Sequence, residues 1–152
     1  KITAAGYPTV FRIVASDTQV GGSVAAYAAK ELKVKNVGVI DDRTAFGQGL
    51  ADEFVKGVKA AGGAAIVSRQ FTNDKATDFN AILTSIKAKN PDLVFFGGMD
   101  SVGGPLLRQM KALGIKARLM GGAVIGGSVP QHPRNSSRGG RRRGVTTTRG
   151  TE

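Results

Sequence analysis

The chain has 152 residues, 41% of them hydrophobic, and a formal net charge of +11. That length suits one domain, able to bury roughly 70% of the surface its unfolded form exposes, and the apolar content argues against wholesale disorder. No cysteine is present, which excludes disulfides, zinc thiolate sites and thiol nucleophiles; the only histidine, His132, lies near the end, so the preceding chain has no imidazole for acid–base work.

Two periodicities alternate from residue 10 to residue 125. Residues 10–14 form an apolar run of short-strand type. Asp17 or Thr18 is then expected to cap a helix reaching Leu32, with Val20, Val24, Tyr27, Ala28 and Leu32 along one face. Val37-Gly38-Val39-Ile40 is a buried-strand run ending at Asp41-Asp42. Leu50, Phe54 and Val58 recur every four residues in a helix over 46–61, closed by Gly62-Gly63. Residues 64–71 predict a strand. Asp78 is placed to cap a helix carrying Phe79, Ile82, Leu83 and Ile86, which Asn90-Pro91 stops. Leu93-Val94-Phe95-Phe96 is the most apolar strand, followed by Gly97-Gly98. Leu106, Leu107, Met110 and Leu113 mark a helix that Gly114 ends, and residues 115–120 give the last strand. Strands apolar on both faces, alternating with amphipathic helices, imply an α/β fold of three layers, α/β/α, around a mostly parallel sheet. Ligands of such sheets sit at the carboxyl ends of the strands, here residues 41–47, 71–78, 97–103 and 121–127.

The residues at those ends exclude several chemistries. No Gly-x-Gly-x-x-Gly follows a strand and no Gly-Lys-Ser/Thr loop exists, so nucleotide binding lacks a motif. The glycines of Phe46-Gly47-Gln48-Gly49 are expected to ease a strand-to-helix turn. Gly97-Gly98 permits close approach of either a ligand or neighbouring backbone. Asp41 and Asp42 form a carboxylate pair like that of the receiver domains of response regulators, an alternative that makes the chain a signalling module. A receiver pocket needs a third carboxylate directly at the end of a later central strand. Phe96-Gly97-Gly98 stands there instead, so solvated or capping aspartates are the expectation. No catalytic residue, metal or cofactor is expected, and the chain is not expected to be an enzyme.

Four stretches carry a family resemblance. Val37-Gly38-Val39-Ile40-Asp41-Asp42-Arg43-Thr44-Ala45-Phe46-Gly47-Gln48-Gly49-Leu50-Ala51 resembles the segment of the leucine/isoleucine/valine-binding family in which a strand enters a polar loop and an aromatic–Gly–x–Gly helix start. Asp92-Leu93-Val94-Phe95-Phe96-Gly97-Gly98 is similar to that family's later strand. Leu106 to Gly114 resembles its next helix, and Leu119-Met120-Gly121-Gly122 its last strand before the cleft. The likeness spans residues 7–122. It implies the type I periplasmic binding protein fold, in which two α/β lobes close on an amino acid, branched-chain foremost, and deliver it to the membrane permease of an ABC transporter. The segment corresponds to most of the second lobe, with the first lobe missing. The implied site residues are Phe46, Gly97, Gly98, Met99 and Asp42. An acid that follows the family's last strand and holds the ligand ammonium is replaced by Gly122-Ala123-Val124. The implied location is periplasmic, or extracellular and lipid-anchored. An exposed cleft face also makes a homodimer an expectation.

The chain divides into a lobe over 1–127 and a tail over 128–152. Six of the 22 basic residues (Arg134, Arg138, Arg141, Arg142, Arg143 and Arg149) fall in the tail, against one acid, Glu152. Its prolines, serines and glycines are of disordered type. Its arginines suit salt-dependent attraction to phosphates, but it has no aromatic residue to stack on bases, so non-specific adhesion is expected and no specific nucleic acid. A shift of reading frame near Ala123 is expected to account for the arginine-rich text. No run of about 18 apolar residues, the minimum for a membrane span, is present. The opening Lys1-Ile2-Thr3 leads into no apolar stretch of signal-peptide type, and no methionine opens the chain, so a fragment or processed product is expected.

Overall fold

The computed structural model describes residues 6–9 and 11–122. Eight elements follow one another: α1 (Asp17–Lys30), β1 (Asn36–Asp41), α2 (Ala45–Ala61), β2 (Ala65–Phe71), α3 (Asn80–Lys87), β3 (Leu93–Gly97), α4 (Asp100–Ala112) and β4 (Arg118–Gly121). The strands form one sheet in the order β2-β1-β3-β4, and every pairing is parallel.

Strand alternation divides the core in two. Val37, Val39, Leu93 and Phe95 point to the face covered by α1 and α2, where they meet Ala25, Ala28, Leu50, Ala51, Phe54 and Val58. Ile40, Val94 and Phe96 point to the opposite face and meet Leu83, Ile86, Val102, Leu106 and Met110 of α3 and α4. The rings of Phe54 and Phe95 stack with centroids 3.8 Å apart and planes 5° from parallel, tying α2 to the centre of the sheet. Only β1 and β3 are buried along their lengths; β2 and β4 are edges and are partly exposed, so the expectation of strands buried on both faces holds for the inner pair alone.

Helix α1 lies parallel to α2 and very close to it. A β-carbon at Gly57 would stand 2.6 Å from Cβ of Ala25, and one at Gly21 would stand 2.8 Å from Cβ of Glu53. Because α1 runs with α2, and α2, α3 and α4 return between parallel strands, all four helices start at the carboxyl end of the sheet and finish at its amino end.

Local chemistry moved several boundaries. Helix α1 is capped by Ser16, just ahead of the expected Asp17 or Thr18: its hydroxyl accepts from the Gln19 amide and the Gln19 side chain accepts from the Ser16 amide, a full capping box. Asp78 does bond ahead, to the amide of Asn80 at 3.0 Å, but Phe79 occupies the cap position of α3. Phe79 is buried there and its amide donates to Oε1 of Gln109 at 2.7 Å, so α4 holds the entry of α3. Helix α4 begins six residues before the expected Leu106 and carries Pro105 within it.

The strand expected over residues 10–14 is not formed by residues 11–14; Val10 lies outside the described residues. Phe11, Ile13 and Val14 are 83%, 99% and 68% exposed. An apolar run becomes a strand only when a neighbour supplies a ladder and a cover, and among the described residues nothing does. The arginine-rich tail also lies outside the described residues.

Candidate functional site

The carboxyl end of the sheet is assembled around the end of β1. The Asp42 amide donates to the Gly97 carbonyl at 3.1 Å, and the Thr72 amide donates to the Asp41 carbonyl at 2.8 Å, so the segments following β1 and β2 and the end of β3 are laced together. The Asp42 side chain is buried. Its Oδ1 accepts from the Thr44 amide at 3.0 Å and from the Thr44 hydroxyl at 2.6 Å. That hydroxyl in turn accepts from the Gly47 amide at 2.9 Å, capping α2. Asp42 thus sets the start of α2 through Thr44. Its second oxygen, Oδ2, is buried without a hydrogen-bond partner among the described residues.

Asp41 has a different role. Its Oδ1 accepts from the Arg43 amide at 3.2 Å and lies 3.9 Å from Arg43 Nε, while Oδ2 lies 3.7 Å from a guanidinium nitrogen of Arg69. That same nitrogen is 2.6 Å from Asp52. Arg43 itself adopts a left-handed backbone with φ 61°, and its guanidinium sits 3.8 Å above the Phe71 ring, a cation–π contact. The expectation of solvated or capping aspartates is therefore corrected: Asp41 and Asp42 are 3% and 1% exposed, and Thr44, held by Asp42, takes the cap position of α2. The reason is their position, since β1 is an inner strand and its end is covered by β2, β3 and the first turn of α2; burial is offset by arginines for Asp41 and by Thr44 for Asp42.

The glycines serve backbone packing. A side chain on Gly47 would run into Asp42 and stand 2.5 Å from the Gly97 carbonyl oxygen; one on Gly97 would run into the Gly47 carbonyl. A β-carbon on Gly98 would stand 2.7 Å from the unpartnered Oδ2 of Asp42 and would press on the Phe96 ring. Of the two approaches left open for Gly97-Gly98, the one the described residues fill is that of neighbouring backbone and side chain.

The structure brings Asp42, Gly97 and Gly98 into one buried contact and leaves the other expected site residues nearer the surface. Phe46 is half-buried in the first turn of α2, packed at the rim of the α1–α2 core. Met99 is 45% exposed at the cap position of α4, where no side chain caps the helix. Sequence reasoning passed over Arg43, Arg69 and Phe71, which line a depression at the same end together with Asp41, Gln48 and Gln70. The available signal is register: Asp41 pairs with Phe71 across β1 and β2. A third carboxylate of receiver type is absent from the end of β3, where Gly97 and Gly98 stand and Asp100 lies in the first turn of α4. Among the described residues no group of three His, Cys, Asp or Glu side chains is placed to hold a metal. Ala123 and Val124, which follow the last strand, lie outside the described residues.

Comparison with known proteins agrees with this architecture. The family model described as periplasmic binding protein matches residues 2–138, a range that continues past Gly122. The "Amino acid binding protein" of Pseudomonas aeruginosa is 37% identical over 120 residues, covering 79% of this chain and 32% of its own length. The "Leu/Ile/Val-binding protein homolog 3" of Brucella melitensis is 37% identical over 121 residues, covering 80% and 33%. Among solved structures, the leucine binding protein of Thermotoga maritima superposes with a TM-score of 0.75 at 26% identity, over 82% of this chain and 35% of that one. An ABC transporter substrate-binding protein of Desulfitobacterium hafniense in complex with Leu gives a TM-score of 0.66 at 28% identity, over 79% and 36%. The chain spans about a third of the length of the curated relatives it matches. With the family model matched over most of its residues and the fold shared with solved members, the chain belongs to the periplasmic binding protein family.

Proposed function

We propose that this chain is the second lobe of an amino-acid-binding protein serving an ABC-type uptake system, and that it acts by binding and presenting solute, with no chemical step of its own. The observation that carries this reading is the convergence of the loops after β1 and β3 at one end of a wholly parallel sheet, in a chain 37% identical to a Leu/Ile/Val-binding protein homologue. In this reading Phe46 and Met99 offer apolar surface to the side chain of a branched-chain amino acid. Asp42, Gly97 and Gly98 hold the two loops in place from beneath. The protein works in the periplasm, or lipid-anchored outside the cell, and hands its ligand to a membrane permease.

Half a cleft binds poorly. Hydrogen bonds to charged groups contribute about 1.5–3 kcal/mol each, and residues 1–152 assayed by themselves, with Gly122-Ala123-Val124 where the family has an acid, forgo those that an opposing lobe and that acid would make. At about 1.4 kcal/mol per tenfold, affinity falls by several decades, and the exposed cleft face favours self-association. Calorimetry of the isolated chain with leucine, isoleucine and valine is expected to give no measurable heat. A chimera in which residues 7–122 replace the matching segment of the Thermotoga maritima leucine binding protein is expected to bind at least one of the three. A folded chimera that binds none of them contradicts the proposal.

A further inference from the structure

The opposite end of the sheet holds a feature that the amino-acid reading does not use. Lys33, Lys35, Lys116 and Arg118 line one depression of about 570 Å³ between the turn after α1, the turn before β3 and the start of β4. Its floor includes the buried Val34 and Pro91. Among the described residues the single acid lining it is Asp92, and that carboxylate is already engaged: Oδ2 accepts from the Lys35 amide at 2.8 Å and from the Asn36 amide at 3.0 Å. None of the four cations forms an ion pair among the described residues. Lys33 (φ 49°) and Asn90 (φ 46°), two of the three non-glycine residues with left-handed backbone among the described residues, stand at its edge, a conformation that costs energy and is kept where the surroundings impose it.

Helix dipoles do not account for this charge. All four helices end here, each with about half a negative charge, but each already carries its own cation in the last turn: Lys30, Lys59, Lys87 and Lys111. The four cations of the depression lie outside the helices, on turns and at the start of a strand. Glu31 is the C-cap residue of α1 and is not among the residues lining the depression.

We propose that this depression is a binding site for a multivalent oxyanion of the phosphate class, free or carried on a lipid headgroup. Several like charges around one concave surface repel one another, and a compact anion with two or more charges relieves that repulsion at all of them at once. The backbone amides beside it are spent on Asp92, so recognition is by side-chain charge and weakens with salt. A monovalent carboxylate meets too few of the cations to be retained.

The test uses the full chain and inorganic pyrophosphate at low salt, followed by calorimetry and by backbone amide shifts, with acetate as the monovalent control. Pyrophosphate is expected to shift residues 33–36, 90–92 and 116–118. K116Q/R118Q is expected to weaken saturable binding at least tenfold, while K56Q/K75Q, which removes equal charge from the middle of α2 and from the loop after β2, leaves it unchanged. Because every variant keeps the arginine-rich tail, adhesion to that segment is common to all and cancels. Co-sedimentation with phosphatidylglycerol vesicles against phosphatidylcholine vesicles separates the sources: loss of vesicle binding in K116Q/R118Q assigns a headgroup, and pyrophosphate binding without it assigns a free anion. Equal binding of pyrophosphate by both double variants, or shifts confined to residues beyond 122, overturns the proposal. The leucine titration of the chimera is independent of this result, so either reading can fail alone.

Discussion

The two ends of the sheet are built on opposite principles. At the carboxyl end charge is internalised: Asp41 is matched by Arg43 and Arg69, Asp42 is bonded to Thr44, and the Gly47 and Gly97 backbones lie in direct contact. At the amino end four cations stay on the surface around one engaged carboxylate. A surface proposed to receive a small solute is best made rigid beneath its loops, because binding then costs little reorganisation. A surface dominated by one sign of charge needs no such order to attract a counter-ion. Stability is therefore expected to be concentrated at the carboxyl end and electrostatic response at the amino end.

Substitutions sharpen that contrast, beginning with the most damaging. Gly97→Ala places a methyl group against the Gly47 carbonyl and within 3.2 Å of Ala51 Cβ. Backbone on one side and a helix on the other leave no room to relax, so a loss of about 3 kcal/mol or more is expected in denaturant unfolding. Wild-type stability for this variant would show that α2 and β3 are not in contact. Phe95→Ala removes the ring stacked on Phe54 and is expected to cost about 3–5 kcal/mol, tying the carboxyl-end loops to the core beneath them. Thr44→Ala deletes the α2 cap and leaves Oδ1 of Asp42 with one partner fewer; about 1–2 kcal/mol is expected.

The amino end answers to pH in place of packing. The amides of Asn36 and then Lys35 hold the Asp92 carboxyl below its usual range, with the Lys35 charge acting the same way. A pKa that is lower folded than unfolded adds stability above the ordinary carboxylate pKa of about 4, and that stability fades as pH falls through the folded value. Asp92→Asn is expected to unfold slightly more easily than the parent at neutral pH and equally in strong acid, the smallest effect of the series. A gap between the two that persists unchanged into acid would mean that the Asp92 charge contributes nothing.

Much of this was legible in the residues. The Leu50, Phe54 and Val58 repeat marked α2, and four consecutive apolar residues marked β3, because both are buried by immediate neighbours in the fold. The α1 cap was also readable, since Ser16 and Gln19 have capping-box spacing, although Asp17 and Thr18 offer equally good capping side chains. What pattern could not give was anything set by distant pairing. The burial of Asp41 depends on Arg69, which parallel pairing of β1 with β2 delivers from 28 residues away. The start of α4 was hidden by Gly103-Gly104-Pro105, a helix-breaking text overridden by burial of Val102 and Leu106. Residues 11–14 misled in the other direction: their apolar run has strand character, yet no described strand lies beside them. Among the site residues, the 45% exposure of Met99 was not written in its neighbours, and the roles of Gly97 and Gly98 required knowing that α2 starts against them.

The central claim is that the loops after β1 and β3 form one half of an amino-acid cleft, and leucine-induced amide shifts in the chimera carrying residues 7–122 test it most directly. The account predicts that the largest shifts fall in residues 44–48 and 98–102. Saturable leucine binding that moves residues 33–36 and 90–92 while leaving those two loops unperturbed would contradict it.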